Sequence, residues 1–204
     1  VVTREGVFAS TARSLRIHLV GTTSHAAEPE RGLSPTQALA EILSVWPGTP
    51  QASPSIDEPA LVTVVHARLG EPALGTTPGE AIAIATLRAR SPEVMDRLSE
   101  RCLDVAMAIA AAHGLEARAR WMDEFPCTQN DHLAVEVIRR AAASAGADFQ
   151  ELDAPFRWTE DFGHYTSRYP SAMFGLGAGE QTAPLHHPDY RFPDELIAVG
   201  CGMF

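Results

Sequence analysis

The chain has 204 residues, 45% hydrophobic and 21% charged, a composition typical of a folded globular protein and not of a disordered one. It carries 26 acidic and 16 basic residues, a formal net charge of −10, which argues against a nucleic-acid partner because phosphate backbones are bound by clustered cations. Every basic residue is arginine, which excludes a Schiff-base lysine and a P-loop lysine.

The cysteines and the apolar runs indicate where the protein resides. Cys102, Cys127 and Cys201 are widely spaced and form no CxxC pair, which favours a reducing, cytoplasmic compartment. No apolar run approaches the ~20 residues of a membrane span, and no signal peptide is visible. The chain begins at Val1 and not at methionine, so we expect a processed product or a fragment.

The first predicted elements are a strand and a helix. Apolar and polar residues alternate over residues 14–19, which predicts a half-buried strand. Ser34 and Pro35 predict the start of a helix, with Gln37 completing a capping box. The proline-rich residues 49–59 predict a loop.

Two further strands, a long helix and a fourth strand follow. Residues 61–69 are rich in valine and predict a second strand, and the alternation over 80–88, with Ile82 and Ile84 on one face, predicts a third. A helix is predicted to begin after Ser91 and to end at Gly114, and residues 116–121 alternate as a strand. The order βαββαβ predicts a ferredoxin-like sandwich of the split βαβ kind.

The remaining residues do not predict a complete core. Asn130 is expected to cap a helix that ends at Gly146, and residues 159–161 to cap a short helix. An apolar strand is expected over 171–177, and a last helix over 193–204. So little sheet in about 80 residues predicts a part of a larger domain.

His25 is the first candidate functional residue. It lies in a loop between a predicted strand and a predicted helix, a favoured place for catalytic groups. A neutral imidazole there can donate a hydrogen bond to a developing oxyanion. The alternative is a loop histidine that hydrogen-bonds its own backbone.

The second candidate is the pair His186 and His187, which precedes Pro188. Adjacent side chains on an extended chain point in opposite directions, so we expect only one of the two to be a metal ligand. A zinc site needs three or four ligands, and the sequence shows no motif such as HExxH that would supply them.

Several motifs in a fixed order then resemble a known family. The chain resembles the second half of zinc amidohydrolases of the aminoacylase, hippurate hydrolase and indole-acetyl-amino-acid hydrolase type, in the carboxypeptidase G group of metallopeptidases. The motifs that carry the resemblance are Ser24-His25-Ala26-Ala27-Glu28-Pro29, Ala73-Leu74-Gly75-Thr76-Thr77-Pro78, Thr86-Leu87-Arg88, Thr159-Glu160-Asp161-Phe162 and Leu185-His186-His187-Pro188-Asp189-Tyr190-Arg191-Phe192.

The resemblance implies an architecture. In this α/β family a ferredoxin-like lid is inserted into a catalytic domain and mediates homodimerisation. Residues 1–11 would be a connector from the catalytic domain, 12–122 the lid and dimerisation domain, and 123–204 the C-terminal part of the catalytic domain.

The resemblance also implies a reaction and site residues. The reaction is hydrolysis of the amide bond of N-acyl amino acids or similar small conjugates. His25 would stabilise the tetrahedral intermediate in the partner subunit's active site, and His186 would be the last ligand of a divalent metal, most often zinc, with manganese or cobalt as alternatives. Gly75, Thr159 and Glu160 would line the substrate pocket, although the family usually has asparagine at the position of Gly75.

The family's other metal ligands and its glutamate base lie upstream of the lid and have no counterpart in this chain. We therefore expect the 204-residue chain alone to be inactive and to bind metal poorly. A non-catalytic dimerisation or ligand-binding module that keeps the lid fold is the alternative. An upstream Cys-x-His followed by Glu-Glu in the coding sequence would favour the enzyme.

Overall fold

The fold is that of a computed structural model, which describes residues 1–52 and 58–204. Two short 3-10 turns, Pro29–Arg31 and Trp46–Gly48, accompany the regular elements. The strands in the described residues are β1 (Val2–Thr3), β2 (Gly6–Ala9), β3 (Thr11–Val20), β4 (Ala60–Leu69), β5 (Glu80–Ala89), β6 (Glu116–Phe125), β7 (Thr128–Asn130) and β8 (Gln150–Glu151). The helices are α1 (Thr36–Val45), α2 (Thr49–Ala52), α3 (Pro92–Ala112), α4 (His132–Ala145), α5 (Gly163–Thr166) and α6 (Glu195–Gly202). None of these helices is both long and apolar enough to cross a membrane.

The chain divides into two units. One, here the inserted unit, is Ser10–Pro126; the other, here the flanking unit, combines Val1–Ala9 with Cys127–Phe204. Residues 1–9 contribute strands β1 and β2 to the flanking unit. The assignment of lid and catalytic roles to these ranges remains a prediction.

The inserted unit is built on a four-stranded antiparallel sheet in the order β4-β5-β3-β6. The alternation in β3 buries Leu15, Ile17 and Leu19, which belong to one core cluster with residues of α1 and α3. The four strands predicted from the sequence are present, and β4 and β6 form the two edges of the sheet.

Helix α3 follows its sequence signals closely. The Ser91 side chain accepts a hydrogen bond from the Val94 amide as the predicted N-cap. Gly114 adopts φ +69° after the C-terminus, a conformation that glycine reaches without strain. The buried face of α3 includes Met95, Leu98, Cys102, Ala106 and Ala110.

Two local predictions in the inserted unit are wrong. No capping box forms, because α1 begins after Pro35 and the Ser34 hydroxyl instead contacts that of Thr36 at 2.8 Å. The expected loop over 49–59 begins with the helical turn α2, stabilised where the Thr49 hydroxyl donates to the Val45 carbonyl. Residues 53–57 of that loop lie outside the described residues.

The flanking unit pairs its N-terminal strands with later segments. Strand β1 is parallel to β8, and β2 is antiparallel to β7. Helix α4 is capped by Asp131, whose side chain accepts from the Ala134 amide, so the predicted Asn130 cap is wrong. Gly146 ends α4 with φ +64°, as predicted.

The last third of the chain contains less regular structure than its sequence suggests. The strand predicted over 171–177 is absent, since the described pairing there is one bridge between Gly175 and Val2. Helix α5 begins after Phe162, which makes no side-chain cap, so the predicted cap at 159–161 is also wrong. The last helix begins at Glu195, close to the predicted start.

Candidate functional site

His25 lies on an exposed loop of the inserted unit, between β3 and α1. The loop is paired on both sides. The Thr22 amide donates to the Leu33 carbonyl at 2.9 Å, and the Leu33 amide donates to the Thr22 carbonyl at 2.8 Å. His25 forms a backbone bridge with Thr76. The Ala26 amide donates to the Gly75 carbonyl at 3.0 Å, which ties the histidine loop to the turn that carries Gly75.

The His25 ring is oriented by a local contact. The Ala27 backbone N–H donates to His25 Nδ1 at 3.1 Å, so the predicted backbone hydrogen bond is present. Because Nδ1 is the acceptor, the neutral ring carries its proton on Nε2. The two interpretations of His25 are thus compatible: one nitrogen is held by the backbone, and the other remains a donor on an exposed side chain.

Gly75 lies in the exposed turn opposite His25. Its φ is not in the left-handed region, and a Cβ added to it would meet nothing within 4 Å. The structure therefore brings together two of the five predicted site residues, His25 and Gly75. It also leaves room for a side chain at position 75.

His186 lies in the flanking unit, on an exposed turn before Pro188. Its φ of +67° is uncommon for a residue other than glycine, and such conformations cluster at functional sites. The two histidines lie in turns rather than on the extended chain that was expected.

His187 is already engaged. Its Nδ1 accepts from the Asp189 amide at 3.2 Å, and its carbonyl accepts from the Tyr190 amide at 3.0 Å. Within the described residues no hydrogen bond occupies the His186 imidazole, which makes His186 the better candidate ligand of the two.

Thr159 and Glu160 also belong to the flanking unit. They follow an aromatic group in which Phe156 stacks on Trp158 at 4.5 Å and both rings contact the buried Phe8 edge-on. Thr159 is half-buried and Glu160 is exposed. Their place in a substrate pocket stays a prediction.

The described residues bring no three His, Cys, Asp or Glu side chains together in a group that could hold a metal ion. The role of His186 as a metal ligand stays a prediction. Sequence reasoning anticipated a backbone hydrogen bond to His25 without naming its donor, the Ala27 amide, and it missed Thr77. The paired threonines of the turn, Thr76-Thr77, were the only signal available for the latter.

A family comparison identifies the class of protein. The model of Peptidase family M20/M25/M40 matches residues 14–204, so the chain belongs to this family. The resemblance inferred from the motifs is confirmed.

Individual relatives are distant but cover nearly the whole chain. The chain is 26% identical over 202 residues to the N-acetylcysteine deacetylase of Bacillus subtilis, covering 98% of this chain and 52% of the relative. It is 27% identical over 199 residues to the N-acetyldiaminopimelate deacetylase of Exiguobacterium sibiricum, covering 97% and 52%. The chain spans about half the length of the curated relatives it matches.

Solved structures show the same fold. A dinuclear metal-binding peptidase of the M20 family from Bacillus subtilis superposes with a TM-score of 0.70 at 22% identity, covering 99% of this chain and 50% of that one. A tripeptidase from Staphylococcus aureus gives 0.73 at 20% identity, covering 99% and 51%. The fold is thus the mixed α/β fold of M20 peptidases.

Proposed function

We propose that this chain is part of a metal-dependent amidohydrolase that cleaves the amide bond of N-acyl amino acids or similar small conjugates. Family membership supports a hydrolase, and the relatives named N-acetylcysteine deacetylase and N-acetyldiaminopimelate deacetylase support this substrate class. The observation that carries the proposal is the geometry of His25, whose Nδ1 is held by the Ala27 amide on an exposed loop.

His25 acts as an oxyanion donor. When water adds to the amide carbonyl, negative charge develops on the carbonyl oxygen, and the Nε2–H of a neutral imidazole stabilises it. A donor held in place before the reaction needs no reorganisation, and the loss of one such donor commonly lowers turnover by ~10²–10³. We propose that His25 performs this role in the active site of a partner subunit.

His186 supplies one ligand to a divalent metal, with zinc as the first candidate. One support is that the His186 imidazole is exposed and its backbone has a φ of +67°. The other is that the Bacillus subtilis neighbour is named a dinuclear metal-binding peptidase. When bound, such a metal polarises the substrate carbonyl and lowers the pKa of water. The other ligands and the carboxylate base would come from polypeptide other than the described residues.

The inserted unit is proposed to be the ferredoxin-like lid. Its sheet order and the βαββαβ sequence of elements support this. Gly75, on the turn bonded to the His25 loop, would line the substrate pocket, and Thr159 and Glu160 remain proposed contributors from the flanking unit. The three widely spaced cysteines support a cytoplasmic location.

The lid also offers a surface for a homodimer. Strand β4 is an edge of the sheet, and Leu61, Val65 and Leu69 on it are large, exposed apolar residues. Exposed apolar edge strands pair readily with a second strand. Light scattering is expected to show a dimer that Val65→Lys weakens, while Val137→Lys, at an equally exposed position of the flanking unit, leaves it intact.

The function is tested in the complete protein, assayed on a panel of N-acetyl amino acids. We expect His25→Ala to lower kcat by ~10²–10³ with the metal content unchanged. His113→Ala is the control, because His113 pairs with Glu41 at 2.9 Å elsewhere in the same unit. Unchanged turnover in His25→Ala would remove His25 from the mechanism, and a complete protein without amidase activity would favour the non-catalytic module.

A further inference from the structure

The loop that carries His25 is joined to the turn that carries Gly75 by two hydroxyl side chains. The Ser24 amide donates to Thr77 Oγ1 at 2.9 Å, and the Ser24 and Thr77 hydroxyl oxygens are also 2.9 Å apart. In the opposite direction, the Thr77 amide donates to the Ser24 carbonyl at 2.9 Å. Ser24 immediately precedes His25, so this contact fixes the backbone on which the imidazole is mounted.

Two glycines, Gly32 and Gly79, approach the backbone that leads to Ser24 closely. A Cβ on Gly32 would lie 2.7 Å from the Thr22 carbonyl oxygen, and a Cβ on Gly79 would lie 2.9 Å from the Thr23 amide nitrogen. The Gly21 amide also donates to the Gly79 carbonyl at 2.8 Å. The backbone of residues 21–23 is therefore closely packed, although Thr22 and Thr23 are exposed, as are His25, Ala26 and Ala27.

Ser24 and Thr77 lie between this closely packed backbone and the His25 end of the loop, and both are half-buried. The next two hydrogen bonds lie among exposed residues. The Ala26 amide donates to the Gly75 carbonyl and the Ala27 amide donates to the His25 ring, and water competes for both donors. Hydrogen bonds of this exposed kind open readily unless adjacent structure holds the chain in register.

We propose that Thr77 is a positioning residue for His25: its hydroxyl, through Ser24, holds the loop in the conformation in which the Ala27 amide binds Nδ1 and Nε2 carries the proton. This inference rests on the proposed function for its catalytic consequence, but the structural step concerns only this chain. The proposal predicts that removing the Thr77 hydroxyl, which is bonded to Ser24, changes the tautomer of the His25 imidazole.

The test compares three variants. Thr77→Val keeps the β-branched shape and removes the hydroxyl, while Thr77→Ser keeps the hydroxyl. The matched control is Thr86→Val, because Thr86 shares a similar hydroxyl pair with Ser14 at 3.2 Å in the centre of the sheet. Any general effect of losing such a pair will appear in the control.

The first readout needs no activity. In nitrogen NMR spectra of the 204-residue chain, Thr77→Val is expected to raise the population of the Nδ1–H tautomer of His25 and to speed exchange of the Ala26 and Ala27 amides about tenfold. Thr77→Ser and Thr86→Val should match the parent chain. An unchanged His25 tautomer and unchanged exchange in folded Thr77→Val would overturn the proposal, as would an equal effect of Thr86→Val.

The second readout uses the complete protein. Thr77→Val is expected to lower kcat by about tenfold with little change in KM, since a displaced donor weakens stabilisation of the transition state more than substrate binding. Thr77→Ser should restore kcat. If the NMR effects occur while His25→Ala leaves turnover unchanged, the positioning role holds and the proposed catalytic function fails.

Discussion

Asn130 and Met173 bond each other in both directions: the Asn130 amide nitrogen donates to the Met173 carbonyl, and the Met173 N–H donates to Asn130 Oδ1, each at 2.8 Å. The same amide group also donates to Thr3 Oγ1 and to the Arg4 carbonyl, each at 3.0 Å. Asn130 is only 3% exposed. One buried side chain thus links three separate segments of the flanking unit.

Asn130→Ala is expected to destabilise the flanking unit by about 3 kcal/mol, because it leaves several buried donors and acceptors without partners, at ~1–3 kcal/mol each. Asp131→Ala is the control, since it removes a half-buried helix cap that is worth about 1 kcal/mol. Urea unfolding is followed by the fluorine NMR signal of labelled Trp158, the tryptophan of this unit. Equal losses for the two variants would contradict this account of Asn130.

Asn130 also shows where sequence reasoning stops. Its position before a helix favours a cap, whereas its true partners lie on segments far away in sequence. Helix α3 was predictable because its signals are local: Ser91 bonds an amide three residues on, and its apolar stripe has helical spacing. The apolar run 171–177 was misassigned because hydrophobicity alone does not supply a neighbouring strand.

In the candidate site, too, the sequence identifies some features and only the structure reveals the others. His25 and His186 were found as histidines in motifs at fixed places along the chain. The hydrogen bond between the Ala27 amide and Nδ1, and the link from Thr77 to Ser24, depend on the loop conformation, which composition and spacing do not encode. Gly75 was noted as a departure from the family, but the open space around it appears only in the structure.

Cys102 is expected to be unreactive and to make the inserted unit sensitive to alkali. Burial raises the pKa of its thiol from 9.0 to about 12. The folded state therefore favours the neutral thiol, so this contribution to stability is complete below pH 9.0 and is lost as the pH rises from there towards about 12.

Two measurements check this behaviour. At pH 8 a thiol reagent should modify the exposed Cys201 rapidly and Cys102 only after unfolding. The unfolding free energy of the parent chain should fall more steeply above pH 9 than that of Cys102→Ala. Parallel alkaline curves for the two proteins would show that the thiol is not responsible.

The pKa of His132 is expected to fall towards its ordinary value in Glu5→Gln. The main cause that raises this pKa is the hydrogen bond that His132 Nδ1–H donates to the Glu5 carboxylate at 3.0 Å, and the charge of Glu5 adds to it. Glu136 contributes only a weaker charge interaction, so Glu136→Gln should have a smaller effect. An NMR titration of the His132 ring decides between them, and equal shifts would contradict the assignment.

The 204-residue chain alone is expected to retain well under one zinc ion after dialysis, since a stable site needs three or four ligands and His186 is the one ligand proposed here. Metal analysis by mass spectrometry gives the result directly. His186→Ala should change this content little in the isolated chain but should lower metal affinity in the complete protein. Roughly one tightly held zinc per isolated chain would refute this ligand assignment.

Position 75 should accept a side chain that position 79 does not. A Cβ at Gly75 meets nothing within 4 Å, whereas at Gly79 it would lie 2.8 Å from Thr23 Cγ2 and 2.9 Å from the Thr23 amide nitrogen. Gly75→Asn is therefore expected to change the unfolding free energy by less than about 0.5 kcal/mol, within the usual range for surface substitutions, while Gly79→Ala lowers it by about 1–3 kcal/mol through overpacking. Urea denaturation of both variants measures the difference.

Because Gly75 is bonded to the His25 loop, Gly75→Asn should also alter KM for N-acetyl amino acids in the complete protein. An unchanged KM across the substrate panel would place position 75 outside the pocket.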